Sequence, residues 1–373
     1  MKILQILTDT NIGGAGIWLL NFLKSYNRDK LEVSVVLPKG AKLIKQIEKL
    51  NVSVIEAENI ADKSFSFSGI RTFKKIITDE KPDLIHTHAC ISARIAGRIK
   101  GVKIVNTRHC LEEKKSFPKN ILYKFINNIL SDRVIGVSEA VVNNLIYDGI
   151  KKNKVRLVYN GINPLIPISF EKKKEIREKY GFNESNVIIG IVARLEEVKN
   201  HDLFIRAAKL SCEKDSNLRF LIVGAGSLET KLKNKVKELN LDDKVVFAGY
   251  IQNVNDITNI IDISVITSYR EALSIALIEG MSLGKACIAT DSGGPSEVID
   301  NGKSGIIVPN NDEKRLSSAI LELSDDINKR EIFGKIGKKI FEEKFGIGEM
   351  AQKIEDIYAE IAERKDEKNE DNE

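Results

Sequence analysis

Residues 270–280 read REALSIALIEG, with Glu271 and Glu279 eight positions apart on either side of an apolar run. If both were helical, about 100° of turn and 1.5 Å of rise per residue would leave them roughly 80° apart around the axis and about 12 Å apart along it. Carboxylates that share one glycosidic bond sit about 5 to 10 Å apart. The spacing therefore suits two ends of one long ligand. It equally suits two unrelated glutamates, the first favoured by a helix dipole and the second exposed. A second charged group lies upstream, in GIVARLEEVKN, where Arg194 leaves an apolar run and Lys199 follows five residues later. Two such cations would clamp a diphosphate, Arg through its planar fork and Lys as a point charge, or would form an ordinary surface pair. Glu271 falls where the chain enters a helix, beside backbone N–H groups of Ser274 and Ile275 that suit a phosphate or a sugar hydroxyl.

Three further features carry weaker chemistry. Gly13 and Gly14, in NIGGAG, open a helix and either admit a ligand to the backbone or make a tight turn. A dinucleotide fingerprint needs G-x-G-x-x-G; GGAG has the wrong shape and VGAGSL lacks the third glycine, so NAD is not expected. His109, ending KIVNTRH, reads from its position as a packed strand-end histidine. His86 and His88, in DLIHTH, read as structural residues of an interior strand.

These residues need a scaffold. Apolar β-branched runs alternate with helix-period segments along the whole chain, which predicts parallel sheets covered by helices on both faces. KILQIL, VSVVLP, VSVIEA, DLIHTH, KIVNTRH, RVIGVS and VRLVYNG are the strand candidates of the first half. After NGINPLIPISFEKKKEIREKYG, with two prolines and a charged stretch, the alternation restarts with VIIGIVAR, LRFLIVGAG, KVVFAGY, ISVITS, ACIATDS and GIIVP. The expectation is α/β: two doubly wound, Rossmann-like domains facing a cleft, at residues 1–163 and 164–346. A closing helix at about 347–365 packs back on the first domain, and the charged tail 366–373 is disordered.

Bulk properties narrow the class. The 373 residues carry a net charge of +5. Residues 1–163 hold 27 Lys and Arg against 15 Asp and Glu, and the remainder 31 against 38, so a basic half adjoins an acidic one. A basic half suits an anionic partner such as a membrane surface, a nucleic acid or a phosphorylated substrate, or simply solvated charge. No recognition motif or aromatic platform supports nucleic acid. No apolar run reaches membrane-span length, and the start reads as a buried strand rather than a signal peptide. Four scattered cysteines without ligand spacing argue for a reducing cytosol and against a zinc site.

Taken together, ARLEEVKN with Arg194 and Lys199, the segment from Glu271 to Glu279, and SGGPSEVI resemble the family 4 retaining, nucleotide-sugar-dependent glycosyltransferases. GGAG, DLIHTHA, NTRHC, VSEAV and VYNGIN have counterparts there, in order, across residues 1 to about 365. The resemblance implies the GT-B architecture and transfer of a hexose-type sugar from a nucleotide diphosphate sugar to an acceptor hydroxyl. UDP-sugars are the favoured donors and GDP-sugars the alternative. Arg194 and Lys199 would bind the donor diphosphate, Glu279 the ribose hydroxyls and Glu271 hydroxyls of the transferred sugar. Gly13 and Gly14 would admit phosphates or acceptor, and His109 would line the sugar site near the reacting carbon. Acceptors implied are glycans, lipid-linked sugars and cell-envelope polysaccharide. Without a D-x-D motif no metal or other cofactor is expected, the basic clamp doing that work.

The sequence departs from the family pattern at Ala272, where Gly is frequent, at Asn163, where Asp is common, and at Gly16, where Glu is frequent. An epimerase acting on a nucleotide-linked sugar and a non-catalytic sugar-nucleotide binder are the competing readings. EEKKSFPKNILYKFINNILSDR mixes Lys with aromatics and places Ile121, Leu122, Phe125, Ile126 and Ile129 at core-helix spacing. It is either a packed helix or a peripheral contact with the inner face of the plasma membrane, on an otherwise cytoplasmic protein.

Overall fold

The computed structural model describes residues 1–112, 124 and 126–370. The chain forms two compact units, Met1–Gly161 with Ile347–Glu373, and Ile162–Gly346. In the first, β1 (Lys2–Ile6), β2 (Glu32–Pro38), β3 (Ser53–Ala57), β4 (Leu84–His88), β5 (Lys103–Arg108), β6 (Arg133–Gly136) and β7 (Val155–Leu157) make a parallel sheet in the order β3-β2-β1-β4-β5-β6-β7. Interior strands are buried on both faces, as their unbroken apolar runs require; all of β4 is buried, polar residues included. Between strands, the helix Phe67–Glu80 buries Gly69, Phe73 and Ile77, one stripe at four-residue spacing, and ends at Lys81 in the left-handed conformation. Phe73 and Ile77 pack on Leu4, Ile6 and Ile85 of the sheet.

The second unit repeats the plan. Its strands β8 (Val187–Val192), β9 (Leu218–Val223), β10 (Val245–Gly249), β11 (Ile263–Ile266), β12 (Ala286–Thr290) and β13 (Gly305–Val308) run parallel in the order β10-β9-β8-β11-β12-β13. Strand order reverses between β1 and β4 in one sheet and between β8 and β11 in the other. The loops leaving the carboxyl ends of such a pair diverge, and the crevice there takes ligands. Gly13 and Gly14 follow β1, whereas Arg194 and Glu271 follow β8 and β11.

The closing helix, Ile347–Glu370, belongs to the first unit, with Ile354, Tyr358 and Ile361 buried. Helix runs to Glu370, through the first part of the charged tail that begins at residue 366, and residues 371–373 lie outside the described residues. Glu360 accepts from both Arg133 Nη2 (2.6 Å) and Arg133 Nε (3.2 Å), and from Arg156 Nη2 (2.7 Å). Those bonds, Arg133 first, hold its carboxyl down at about 2. A lowered carboxyl stabilises the fold above its unfolded value of 4.5, and that contribution is lost as pH falls toward 2. Glu360→Ala leaves the buried Arg133 guanidinium short of its partner and is expected to cost about 1–2 kcal/mol in urea unfolding at pH 7. The difference from the parent should shrink steadily between pH 4.5 and 2; an equal gap at pH 7 and pH 3 would contradict it.

Among the described residues no helix is long and apolar enough to cross a membrane. Of the positions read as an amphipathic basic helix, Ile121, Leu122 and Phe125 lie outside the described residues. Ile126 is half-buried and Ile129 exposed.

Candidate active site

The loop after β8 is held by its neighbour after β9. Ala193 N donates to Val223 O, Leu195 N to Ala225 O and Leu228 N to Leu195 O, each at 3.0 Å. A Cβ on Gly224 would lie 2.0 Å from Ala193 O, and one on Gly226 would lie 2.4 Å from Leu195 O. The glycines of VGAGSL thus let two backbones touch, and Ser227 Oγ pins Glu196 at 3.0 Å. The loop so braced presents Arg194, exposed, with no hydrogen bond or ion pair to its guanidinium among the described residues. Lys199 closes a single 3-10 turn, Glu197–Lys199. Thr267 Oγ1 ties the Lys199 and Asn200 carbonyls to the end of β11 at 2.9 and 3.0 Å. Asn200, at φ +49°, then turns the chain and caps the helix His201–Cys212.

Glu271 comes from the other side of the reversal. Its N–H donates to Ser292 O at 2.9 Å, and its carbonyl accepts from Gly294 N at 2.8 Å. A Cβ at Gly294 would lie 1.9 Å from Ala272 O, so the SGG turn must be glycine to close on this loop. Ala272, where Gly is frequent in the resembling family, is itself buried and faces that turn. The Glu271 carboxylate accepts from Lys199 Nζ at 2.5 Å and Ser268 Oγ at 3.0 Å, through the same oxygen. Both side chains are mostly shielded, at 20% and 12% exposure, which makes this more than a loose surface pair.

The helix after Glu271 starts at Ile275 and runs to Ser282, so Glu271 lies outside it. The separation calculated for two helical glutamates therefore does not apply; the Gly294 clamp stops the helix from starting earlier. Ser274 caps it, accepting from Leu277 N at 3.4 Å. The backbone N–H groups of Ser274 and Ile275 have no acceptor among the described residues, as expected of a first turn. Glu279, one turn in, is half-buried with no bond to its carboxyl among the described residues, and burial lifts that carboxyl to about 7. Lys199 and Glu271 are thus brought together, 72 residues apart in sequence. Arg194 shares the Lys199 loop, and Ser274, Ile275 and Glu279 continue from Glu271. An ammonium and a guanidinium on the loop after β8, with open amides after the neighbouring β11, suit a polyanion. Sequence reasoning missed Ser268, which anchors Glu271 and is itself held by Thr290 Oγ1 at 2.7 Å. Hydroxyl residues at the ends of β11 and β12 were its only signal.

In the first unit Gly13 precedes the helix Gly14–Ser25, and a Cβ at Gly13 or Gly14 would meet nothing within 4 Å. No neighbour among the described residues demands glycine there. Gly16 differs: a Cβ would stand 2.8 Å from Leu43 Cδ1, so a larger residue there requires the Leu43 side chain to shift. His109, just past β5, meets His88 at 2.8 Å and the edge of Trp18 at 5.6 Å between centroids. Burial pulls His86 and His109 down to about 3, and His88 well below its usual value, so all three are neutral at physiological pH.

Two family models cover most of the chain: "Glycosyltransferase Family 4" matches residues 12–164 and "Glycosyl transferases group 1" matches residues 172–340. A putative glycosyltransferase EpsD of Bacillus subtilis (strain 168) is 27% identical over 360 residues, 91% of this chain and 92% of that one. The UDP-Gal:alpha-D-GlcNAc-diphosphoundecaprenol alpha-1,3-galactosyltransferase of Escherichia coli is 27% identical over 309 residues, 77% of this chain and 78% of that one. Among solved structures, Anabaena Alr3699/HepE in complex with UDP and glucose superposes with a TM-score of 0.86 at 22% identity, covering 96% of this chain and 99% of that one. That likeness establishes a shared GT-B fold.

Proposed function

Because the chain belongs to the family 4 glycosyltransferases, we propose that the Lys199–Glu271 centre holds the donor of a retaining hexosyl transfer. The protein is a glycosyltransferase that uses nucleotide sugars. In this reading Arg194 and Lys199 take the donor diphosphate, with the Ser274 and Ile275 amides completing its anion site. The diphosphate draws Lys199 from Glu271, and the freed carboxylate accepts hydroxyls of the transferred sugar. Ser268 keeps Glu271 aimed while the ion pair opens. Glu279 takes the ribose hydroxyls, Gly13 and Gly14 leave room on the first unit for phosphates or acceptor, and His109 contacts the sugar near its reacting carbon.

Transfer breaks the bond between the anomeric carbon and the diphosphate oxygen, and that electron pair passes to the diphosphate. The acceptor hydroxyl attacks from the same face, and a phosphate oxygen takes its proton. Protein groups then act by position and charge. The clamp supplies the positive charge a divalent metal would otherwise bring, so turnover should persist in EDTA; abolition restored by added magnesium would overturn that point.

The pairing of Lys199 with Glu271 beside Arg194 carries this reading. UDP-sugars are the favoured donors and GDP-sugars the alternative. The acceptor is a glycan or lipid-linked sugar of the cell envelope, met at the inner face of the plasma membrane; the Escherichia coli relative's undecaprenol-linked acceptor supports this. Screening UDP-, GDP- and ADP-sugars for slow hydrolysis and thermal stabilisation tests it, since a ligand of the native state raises apparent stability. No stabilisation by any of them would sink the donor site.

Glu279 makes that site sensitive to pH. With its carboxyl at about 7, acceptance of ribose hydroxyls weakens below neutrality, and donor affinity should fall up to about tenfold per unit there. The linked stability runs the other way. A raised carboxyl costs stability as pH climbs from 4.5 to about 7, and ionised Glu279 should cost on the order of 1–3 kcal/mol above that. Glu279→Gln is expected to flatten the affinity profile, weaken donor binding at pH 8 and raise Tm at pH 8. A variant whose Kd keeps the parental slope removes Glu279 from the site.

A further inference from the structure

Six side chains of the first unit form one unbroken line of hydrogen bonds beside Trp18. Thr107 Oγ1 lies 2.7 Å from His86 Nε2, and His86 Nδ1 lies 2.5 Å from Tyr358 Oη. Gln5 Nε2 donates to Tyr358 Oη at 2.9 Å, while Gln5 Oε1 lies 3.2 Å from His88 Nε2. The line ends where His88 Nδ1 meets His109 Nε2 at 2.8 Å; beyond it, His109 Nδ1 is buried without a partner among the described residues. Gln5, His86, Thr107 and Tyr358 are fully buried, and His88 nearly so.

Protons in such a line cannot be placed independently. Gln5 Oε1 has no proton, so His88 Nε2 must donate to it. A neutral imidazole carries one N–H, which leaves His88 Nδ1 as an acceptor, and His109 Nε2 must then donate. His109 Nδ1 is left with a bare lone pair. On the other branch Tyr358 receives from Gln5 and gives its own proton to His86 Nδ1. Reversing the Gln5 amide would reverse the His88 branch. That sense strands a buried N–H group at His109 Nδ1, where the placed sense leaves only a lone pair. Buried N–H groups are rarely left without acceptors. Burial keeps all three histidines neutral, as the accounting requires.

We propose that Gln5 and His88 are positioning residues that hold His109 in its Nε2–H tautomer, so that Nδ1 offers a lone pair to a hydroxyl of the transferred sugar. The step to sugar rests on the place given to His109 above; the tautomer does not. A donor lacking that hydroxyl would leave the lone pair unmet, making the relay a device for selecting hydroxylated sugars.

The chain has four histidines, so a 15N-histidine-labelled full-length sample gives a spectrum simple enough to assign by single substitutions. Long-range proton–nitrogen correlation should show His109 with a protonated Nε2 and an unprotonated Nδ1. Gln5→Met and His88→Leu should release it into a tautomer mixture and lower kcat/KM three- to tenfold. Gln5→Glu, whose carboxylate still accepts from His88 Nε2, should retain the parental tautomer and most of the activity. A wild-type spectrum with His109 protonated at Nδ1 overturns the proposal, whatever the variants do. So does an unchanged His109 tautomer in both folded disrupting variants. If the tautomer behaves as stated but His109→Ala transfers sugar at the parental rate, the relay stands and the sugar-site role of His109 fails.

Discussion

Alanine at Arg194 or Glu271 is expected to lower transfer turnover by at least 10²–10³-fold, the usual loss when one charge-stabilising contact leaves an active site. The two variants should fail differently. Arg194 is exposed, and its guanidinium has no hydrogen bond or ion pair among the described residues, which suits it to the leaving diphosphate. Arg194→Ala should weaken binding of the nucleotide diphosphate product as well as slow transfer. Glu271, by contrast, pairs with Lys199, and in the proposed reading gives it up to the donor diphosphate. Its removal leaves the ammonium unpaired, so Glu271→Ala should bind the diphosphate at least as tightly as the parent while kcat collapses. Product affinity by calorimetry, read beside kcat, separates the two. Near-parental turnover in both variants would defeat the assignment, and equal losses of product affinity would defeat the release of Glu271 from Lys199.

Gly294→Ala is expected to produce the second largest effect, although residue 294 carries no reactive group. Its new methyl would sit 1.9 Å from Ala272 O and 2.5 Å from the same carbonyl carbon. Backbone on both sides must move by more than an ångström to reach ordinary contact, and the hydrogen bond from Gly294 N to Glu271 O lies in the way. Misplacement of that size costs on the order of 10²-fold in rate. The opened contact should also destabilise the protein by about 1–3 kcal/mol. Gly13→Ala provides the contrast: its methyl meets nothing within 4 Å among the described residues, so stability should hold within about 0.5 kcal/mol. Any loss of activity there reports on a ligand rather than on the fold. Urea unfolding and kinetics on both variants check the pair. A Gly294→Ala protein with parental stability and turnover would show that the clamp does not position Glu271.

Much of the scaffold was legible in the chain. Every run read as a strand, from KILQIL to GIIVP, became one; the interior strands bury both faces and so write unbroken apolar segments. Arg194, Lys199 and Glu271 were legible as residues leaving strand ends for the same local reason. Helix starts were harder. The apolar run SIALIEG begins at Ser274, yet nothing in its periodicity distinguishes Glu271 in a first turn from Glu271 in a loop. A contact with Gly294 decides that. VGAGSL shows the same limit: its glycines announce a close approach without saying whether to ligand or to backbone, and the partners are Ala193 and Leu195.

What the sequence determined by itself was everything carried within a turn or a strand: apolar periods, the restart after the proline-rich break, and the residue types at strand ends. Tertiary structure alone decided which of those ends became neighbours. Strand order, reversing between β8 and β11, joins Lys199 to Glu271; in the other unit it sets His88 beside His109 and brings Tyr358 to Gln5, 353 residues away. Such pairings depend on which way each crossover runs, and the apolar pattern of a strand is nearly the same wherever in a parallel sheet it lies.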